Sequence, residues 1–162
     1  MKYNFTVVDL YTVKKRDFID NIKVPFVVIS IVSPEANEYE ISYNQYCEDI
    51  LYLRFHDVLS NGTIQSLNVV GNKIVPINYE DTKKILDFSK KYSYIQEWLI
   101  NCEAGMSRSA AVALALSEIM NGRKDYEKYI QSKYPLRFHN IIIKKTILNE
   151  YNKIKNNNDS TY

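Results

Sequence analysis

The stretch from Trp98 to Ser117 constrains this chain more than any other part of it. Trp98-Leu99-Ile100 is a short apolar run with strand character. Ala110 to Met120 is an almost unbroken series of helix formers, and Asn121-Gly122 behind it is a favourable C-terminal stop. Between the two lies Cys102-Glu103-Ala104-Gly105-Met106-Ser107-Arg108, a Cys and an Arg with five residues between them.

A strand, a short loop and a helix in this order suit a phosphate dianion. Successive loop amides can turn inward as an anion nest, and the helix adds its positive N-terminal end. The residues Glu103, Ala104, Gly105, Met106 and Ser107 would supply those amides. Gly105 permits a turn at positive φ, and Ala104 keeps the wall thin enough for close approach. Arg108 offers a two-pronged guanidinium, which matches phosphate geometry better than a Lys would. The same positive field favours Cys102 as a thiolate, and Ser109 is placed to hydrogen-bond the sulfur. A nucleophile in a phosphate cradle implies phosphoryl transfer through a cysteinyl-phosphate. A lone Cys before a helix is more often a small core residue. Cys47 serves as a control, because six residues without a Gly separate it from Arg54. It fails the pattern that Cys102 meets.

The pattern Cys-x5-Arg-Ser, with Ala-Gly at the second and third intervening positions, resembles the signature loop of cysteine-based protein tyrosine phosphatases. The dual-specificity-like branch, with its small bacterial and phage members, is nearest in character. The resemblance is strong over residues 98–117 and weaker elsewhere. It implies a protein tyrosine phosphatase-like α/β fold and hydrolysis of phosphotyrosine, with phosphoserine and phosphothreonine as further substrates, in proteins or small phosphomonoesters. It implies no cofactor. One position departs from the pattern: the family usually carries His immediately before the Cys, and Asn101 stands there. A second class of function therefore stays beside the first, a phosphatase-like module that binds phosphate and turns over poorly. Rhodanese-like loops lack this Gly-x-Ser-Arg-Ser order. Arsenate reductases of the low-molecular-weight phosphatase type carry their Cys near the N-terminus, so neither fits.

At 162 residues the chain suffices for one domain with a proper core, expected over 1–155, with 156–162 as a polar tail. A formal net charge of +2, with its Lys pairs scattered, argues against a nucleic-acid partner. No apolar run approaches the ~20 residues that cross a membrane. Two cysteines and no signal-peptide pattern fit a reducing cytoplasm. Two His and two Cys fall at no ligand spacing, so no metal site is expected.

Read in order, Phe5–Tyr11 is expected as a first strand or strand-turn and Lys14–Asn21 as a short helix. Pro25–Val32 is apolar on both faces, as a central parallel strand should be. Ile50–Phe55 forms a third strand. Thr63–Asn68 and Lys73–Ile77 could pair across Gly71-Asn72. Asn78 is placed to cap a helix over Tyr79–Lys91, with Asp81 at its third position. Two more helices are expected, over Asp125–Lys133 and Asn140–Lys155. Alternating strands and helices of this kind make a mainly parallel central sheet flanked by helices.

A tyrosine-like leaving oxygen needs a proton donor, which in the resembled family is an Asp some thirty or more residues before the Cys. Asp57 follows the third strand, 102 − 57 = 45 positions ahead of Cys102, and strand ends are where parallel α/β sheets bind ligands. Asp49, Asp81 and Asp87 compete, but they read as a strand start, a cap and a solvated face. His56 could contact a substrate or tune Asp57, although a loop His is more often structural. His139-Asn140 reads as the start of the last helix. The Glu103 carboxylate is expected to point outward.

Overall fold

A computed structural model of the chain describes residues 2–37, 40–58, 73–122 and 139–159. Four strands form one sheet: β1 (Asn4–Asp9), β2 (Phe26–Val32), β3 (Cys47–Arg54) and β4 (Glu97–Cys102). Their spatial order is β1-β4-β2-β3 and every pairing is parallel. The expected α/β class is therefore observed. The helices are α1 (Leu10–Lys14), α2 (Arg16–Asp20), α3 (Tyr79–Lys91), α4 (Arg108–Asn121) and α5 (Ile141–Asp159).

The side-chain alternation of the strands builds two cores, one on each face of the sheet. Val27, Ile29, Ile31, Trp98, Ile100 and Cys102 point to the face covered by α3, α4 and α5. Phe26, Val28 and Leu99 point to the other, where Val13 and Ile19 of the two short helices cover them. β2 is buried along its whole length, which explains its unbroken apolar sequence. Helix α4 is buried from Arg108 to Ser117, so it is apolar all round rather than on one stripe. Its alanines let the sheet and α5 come close.

Several boundaries differ from the sequence reading for local reasons. The first strand ends at Asp9, because its carboxylate accepts from Thr12 N at 2.8 Å and caps α1. Lys15 is extended, with φ −76° and ψ 118°, and splits the expected 14–21 helix into α1 and α2. β3 starts earlier than expected, at Cys47. The capping box at Asn78 and Asp81 forms as the sequence pattern predicts. The last helix continues to Asp159, so residues 156–159, expected in the tail, are helical.

Of the proposed hairpin, residues 63–68 and the turn at 71–72 lie outside the described residues, as does the 125–133 helix. Residues 73–77 are not a strand; they are anchored by a two-way bond in which His56 N donates to Val75 O (2.7 Å) and Val75 N donates to His56 Nδ1 (2.9 Å). Among the described residues no helix is long and apolar enough to cross a membrane.

The order β1-β4-β2 has one consequence for function. β4 lies between two parallel neighbours, and Asp9, Cys102 and Ile31 stand in register at their carboxyl ends. Cys102 is thus delivered to the centre of the sheet's C-terminal edge, the edge where such sheets bind ligands.

Candidate active site

The loop leaving β4 is seated against β1. Leu10 N donates to Glu103 O at 3.2 Å, and Gly105 takes φ +61°. A Cβ on Gly105 would lie 2.5 Å from Asp9 N and from Val8 C, and 2.6 Å from Val8 O. Glycine is therefore required twice over, for the left-handed turn and for contact with a rigid strand backbone. Gly105 N donates to Cys102 O at 3.2 Å, so this one amide of the expected nest is taken up within the loop. Among the described residues no such backbone bond occupies the amides of Ala104, Met106 or Ser107.

Cys102 is 2% exposed, with its Sγ 3.1 Å from Ser109 Oγ. Ser109 sits at the second position of α4, so both the hydroxyl and the helix terminus face the sulfur. Cys47 differs in kind: burial pushes its thiol up to about 11. It is no candidate nucleophile.

Arg108 is 6% exposed and its guanidinium is gripped from several sides. Nη1 donates to Phe55 O at 2.9 Å and to Ser33 Oγ at 3.4 Å, and Nη2 contacts Glu103 Oε2. Ser33 also donates to Glu103, from Oγ to Oε2 (3.0 Å) and from N to Oε1 (3.4 Å). The Glu103 carboxylate thus turns back onto Arg108 and Ser33 instead of pointing outward. Burial works against its ionisation, but hydrogen bonds from Arg108 and Ser33 outweigh that and hold its carboxyl below the ordinary value. Because Ser33 touches both Nη1 and the Glu103 oxygen bound to Nη2, the pair holds the outer end of the fork. Nε is buried and has no hydrogen-bond partner among the described residues. A buried donor in that condition is costly unless a ligand completes it.

Asp57 reaches the loop as well. Its Oδ1 accepts from Ser107 Oγ at 2.9 Å and from Asn140 Nδ2 at 2.7 Å. Ser107 is the N-cap of α4, yet its side chain makes no capping bond; the hydroxyl is turned to Asp57. The competing carboxylates lie elsewhere. Asp49 binds Tyr92 and Lys91, Asp81 caps α3, and Asp87 pairs with Lys83 at 2.8 Å. His56 is structural in its contacts: Nδ1 accepts from Val75, and Nε2 is 2.9 Å from Glu35 Oε2. Asn101 is fully buried, and neither end of its amide has a partner among the described residues. Strand alternation turns it to the face of Leu99, opposite to Cys102.

Sequence reasoning passed over Ser33 and the Asn140 side chain. Ser33 follows an apolar strand and opens a polar loop, an ordinary place for a serine. Asn140 was legible as a cap but not as a partner of a residue 83 positions away.

No protein-family model and no curated protein matches this sequence. Solved structures do resemble it. The human tyrosine phosphatase-like serine/threonine/tyrosine-interacting protein is 21% identical with a TM-score of 0.58, over 93% of this chain and 92% of that one. DUSP15 is 16% identical with a TM-score of 0.63, over 98% of this chain and 92% of its own. Human DUSP28 is 14% identical with a TM-score of 0.57, over 95% and 94% respectively. The chain has the fold of the dual-specificity phosphatases.

Replacing Gly105 by Ala should force the loop off β1. The expected result is a loss of stability of about 1–3 kcal/mol in urea denaturation together with weakened binding of phosphate or vanadate. Unchanged stability and anion binding would mean that the loop is not seated on β1 as described.

Proposed function

We propose that this protein is a phosphomonoester hydrolase acting on phosphotyrosine, and on phosphoserine and phosphothreonine as well, through a covalent cysteinyl-phosphate. The observation that carries this reading is the buried, unpartnered Nε of Arg108 beside a loop that begins at Cys102. An oxyanion in the loop would complete that donor, share Nη2, and lie against the free loop amides and the start of α4. Glu103 and Ser33 aim the fork, while Ala104, Gly105, Met106 and Ser107 shape the wall.

In the first step the Cys102 thiolate attacks phosphorus. The P–S bond forms as the bond to the leaving oxygen breaks, and Asp57 gives that oxygen its proton from Oδ2. In the second step water attacks phosphorus and Asp57 accepts its proton. The P–S bond breaks, phosphate departs, and the Ser109 hydroxyl stabilises the sulfur anion as it leaves. The fold shared with dual-specificity phosphatases supports this reading, and so does the register that puts Cys102 at the centre of the carboxyl edge.

The second reading, a phosphate-binding module with weak turnover, draws on Asn101. Its amide is unpartnered and faces away from the thiol, so it supplies none of the support expected of the residue before the Cys. One of the similar structures is itself described as phosphatase-like and interacting. Steady-state hydrolysis of p-nitrophenyl phosphate separates the two. A phosphatase shows substantial turnover that Cys102→Ser abolishes while anion binding survives; a module binds the anion equally well but shows little turnover even before the substitution.

Arg108→Lys should be nearly as damaging as Cys102→Ser, because a point charge cannot span two phosphate oxygens. Recovery of most activity with Lys would remove Arg108 from the role of clamp. Asp57→Asn should lower kcat/KM for phosphotyrosine by about 10²–10⁴-fold, and that for an aryl phosphate with a strongly acidic leaving group far less. Equal losses on both substrates, or none, would show that Asp57 is not the acid.

A further inference from the structure

Asn140 is 1% exposed and uses its whole hydrogen-bonding capacity. Its Oδ1 accepts from Ile142 N (3.0 Å) and Ile143 N (3.2 Å), which caps α5. Nδ2 donates to Asp57 Oδ1 at 2.7 Å and to Val58 O at 2.9 Å. Its backbone N donates to Ser107 O at 3.3 Å. One buried residue therefore joins the start of α5 and the segment after β3 through its side chain, and the last residue of the Cys102 loop through its backbone.

The capping bonds decide which way the amide faces. Two backbone N–H groups require an oxygen opposite them, so the end toward Asp57 is the NH₂ end and can only donate. Ser107 and Asn140 both bind Oδ1 of Asp57, and neither binds Oδ2. A carboxylic acid with one oxygen held by an obligate donor keeps its proton on the other oxygen. The same donor stabilises the carboxylate after the proton has left.

We infer that Asn140 is a positioning residue for proton transfer. It locks Asp57 against the Cys102 loop, assigns the acidic proton to Oδ2, and makes the N-terminus of α5 part of the catalytic frame. This rests on the reading of Asp57 as the general acid. No substrate contact is assigned to Asn140; it acts through Asp57.

The test is a double-mutant cycle read with two substrates, phenyl phosphate and dinitrophenyl phosphate. Asn140→Ser keeps a competent helix cap but is too short to reach Asp57. Asn140→Asp keeps the cap and the size but replaces the donor with acceptors. Each should lower kcat/KM, which reports the first step, on phenyl phosphate by about ten- to a hundredfold, as expected of a misplaced catalytic group. On dinitrophenyl phosphate, which leaves without a proton, the loss should be small, and inhibition by inorganic phosphate should not change. In an Asp57→Asn background Asn140→Ser should add nothing. Equal losses on the two substrates, or a loss that persists undiminished in that background, would overturn the inference while leaving the acid in place. If Asp57→Asn alone shows no dependence on the leaving group, the acid assignment itself fails, and the role of Asn140 with it.

Discussion

A buried guanidinium governs the carboxyl edge of this sheet. Taking a charge out of water is expensive unless its donors are met, and at 6% exposure Arg108 has little water to rely on. Its partners come from the end of β3 through Phe55 O, from the residue after β2 through Ser33, and from its own loop through Glu103. The strand ends are thereby fixed to one another through a side chain of the helix behind them. Among the described residues Nε finds no partner, and it is the donor that the proposed oxyanion would complete. The loop can be this compact only because Gly105 lets its backbone rest on Val8 and Asp9.

The unit around Cys102 was legible because its information is local. Strand character, the five-residue spacing, the glycine and the helix formers all lie within about twenty consecutive positions, and each constrains the next. The capping box at Asn78 was legible for the same reason. Asp57 was named as a candidate from its place at a strand end, not from its contacts with Ser107 and Asn140. Glu103 was misread because the direction of an exposed loop carboxylate depends on what stands across the gap, here Ser33, 70 positions earlier. Asn140 shows the limit from the other side. Its oxygen serves the local rule of helix capping, whereas its nitrogen serves a contact that exists only once the start of α5 reaches the segment after β3.

The two faces of the sheet divide the work. The face covered by α3, α4 and α5 carries Cys102, the alanine-rich helix and the large aromatic contacts of Trp98 with Phe5 and Phe88. The opposite face carries the short helices and Asn101. Strand alternation alone separates Asn101 from the thiol next to it; in the proposed reaction the sulfur is therefore supported by Ser109 and the start of α4.

The central claim is that Cys102 accepts the phosphoryl group. The most direct measurement mixes the protein with an aryl phosphate, quenches with acid within the first turnover, and locates the phosphoryl group by peptide mass spectrometry. The account predicts one phosphoryl group on the peptide that contains Cys102, formed with a burst of the aryl alcohol and absent in Cys102→Ser. Release of the alcohol with no phosphoryl group on that peptide, or the same adduct in the Cys102→Ser variant, would contradict it.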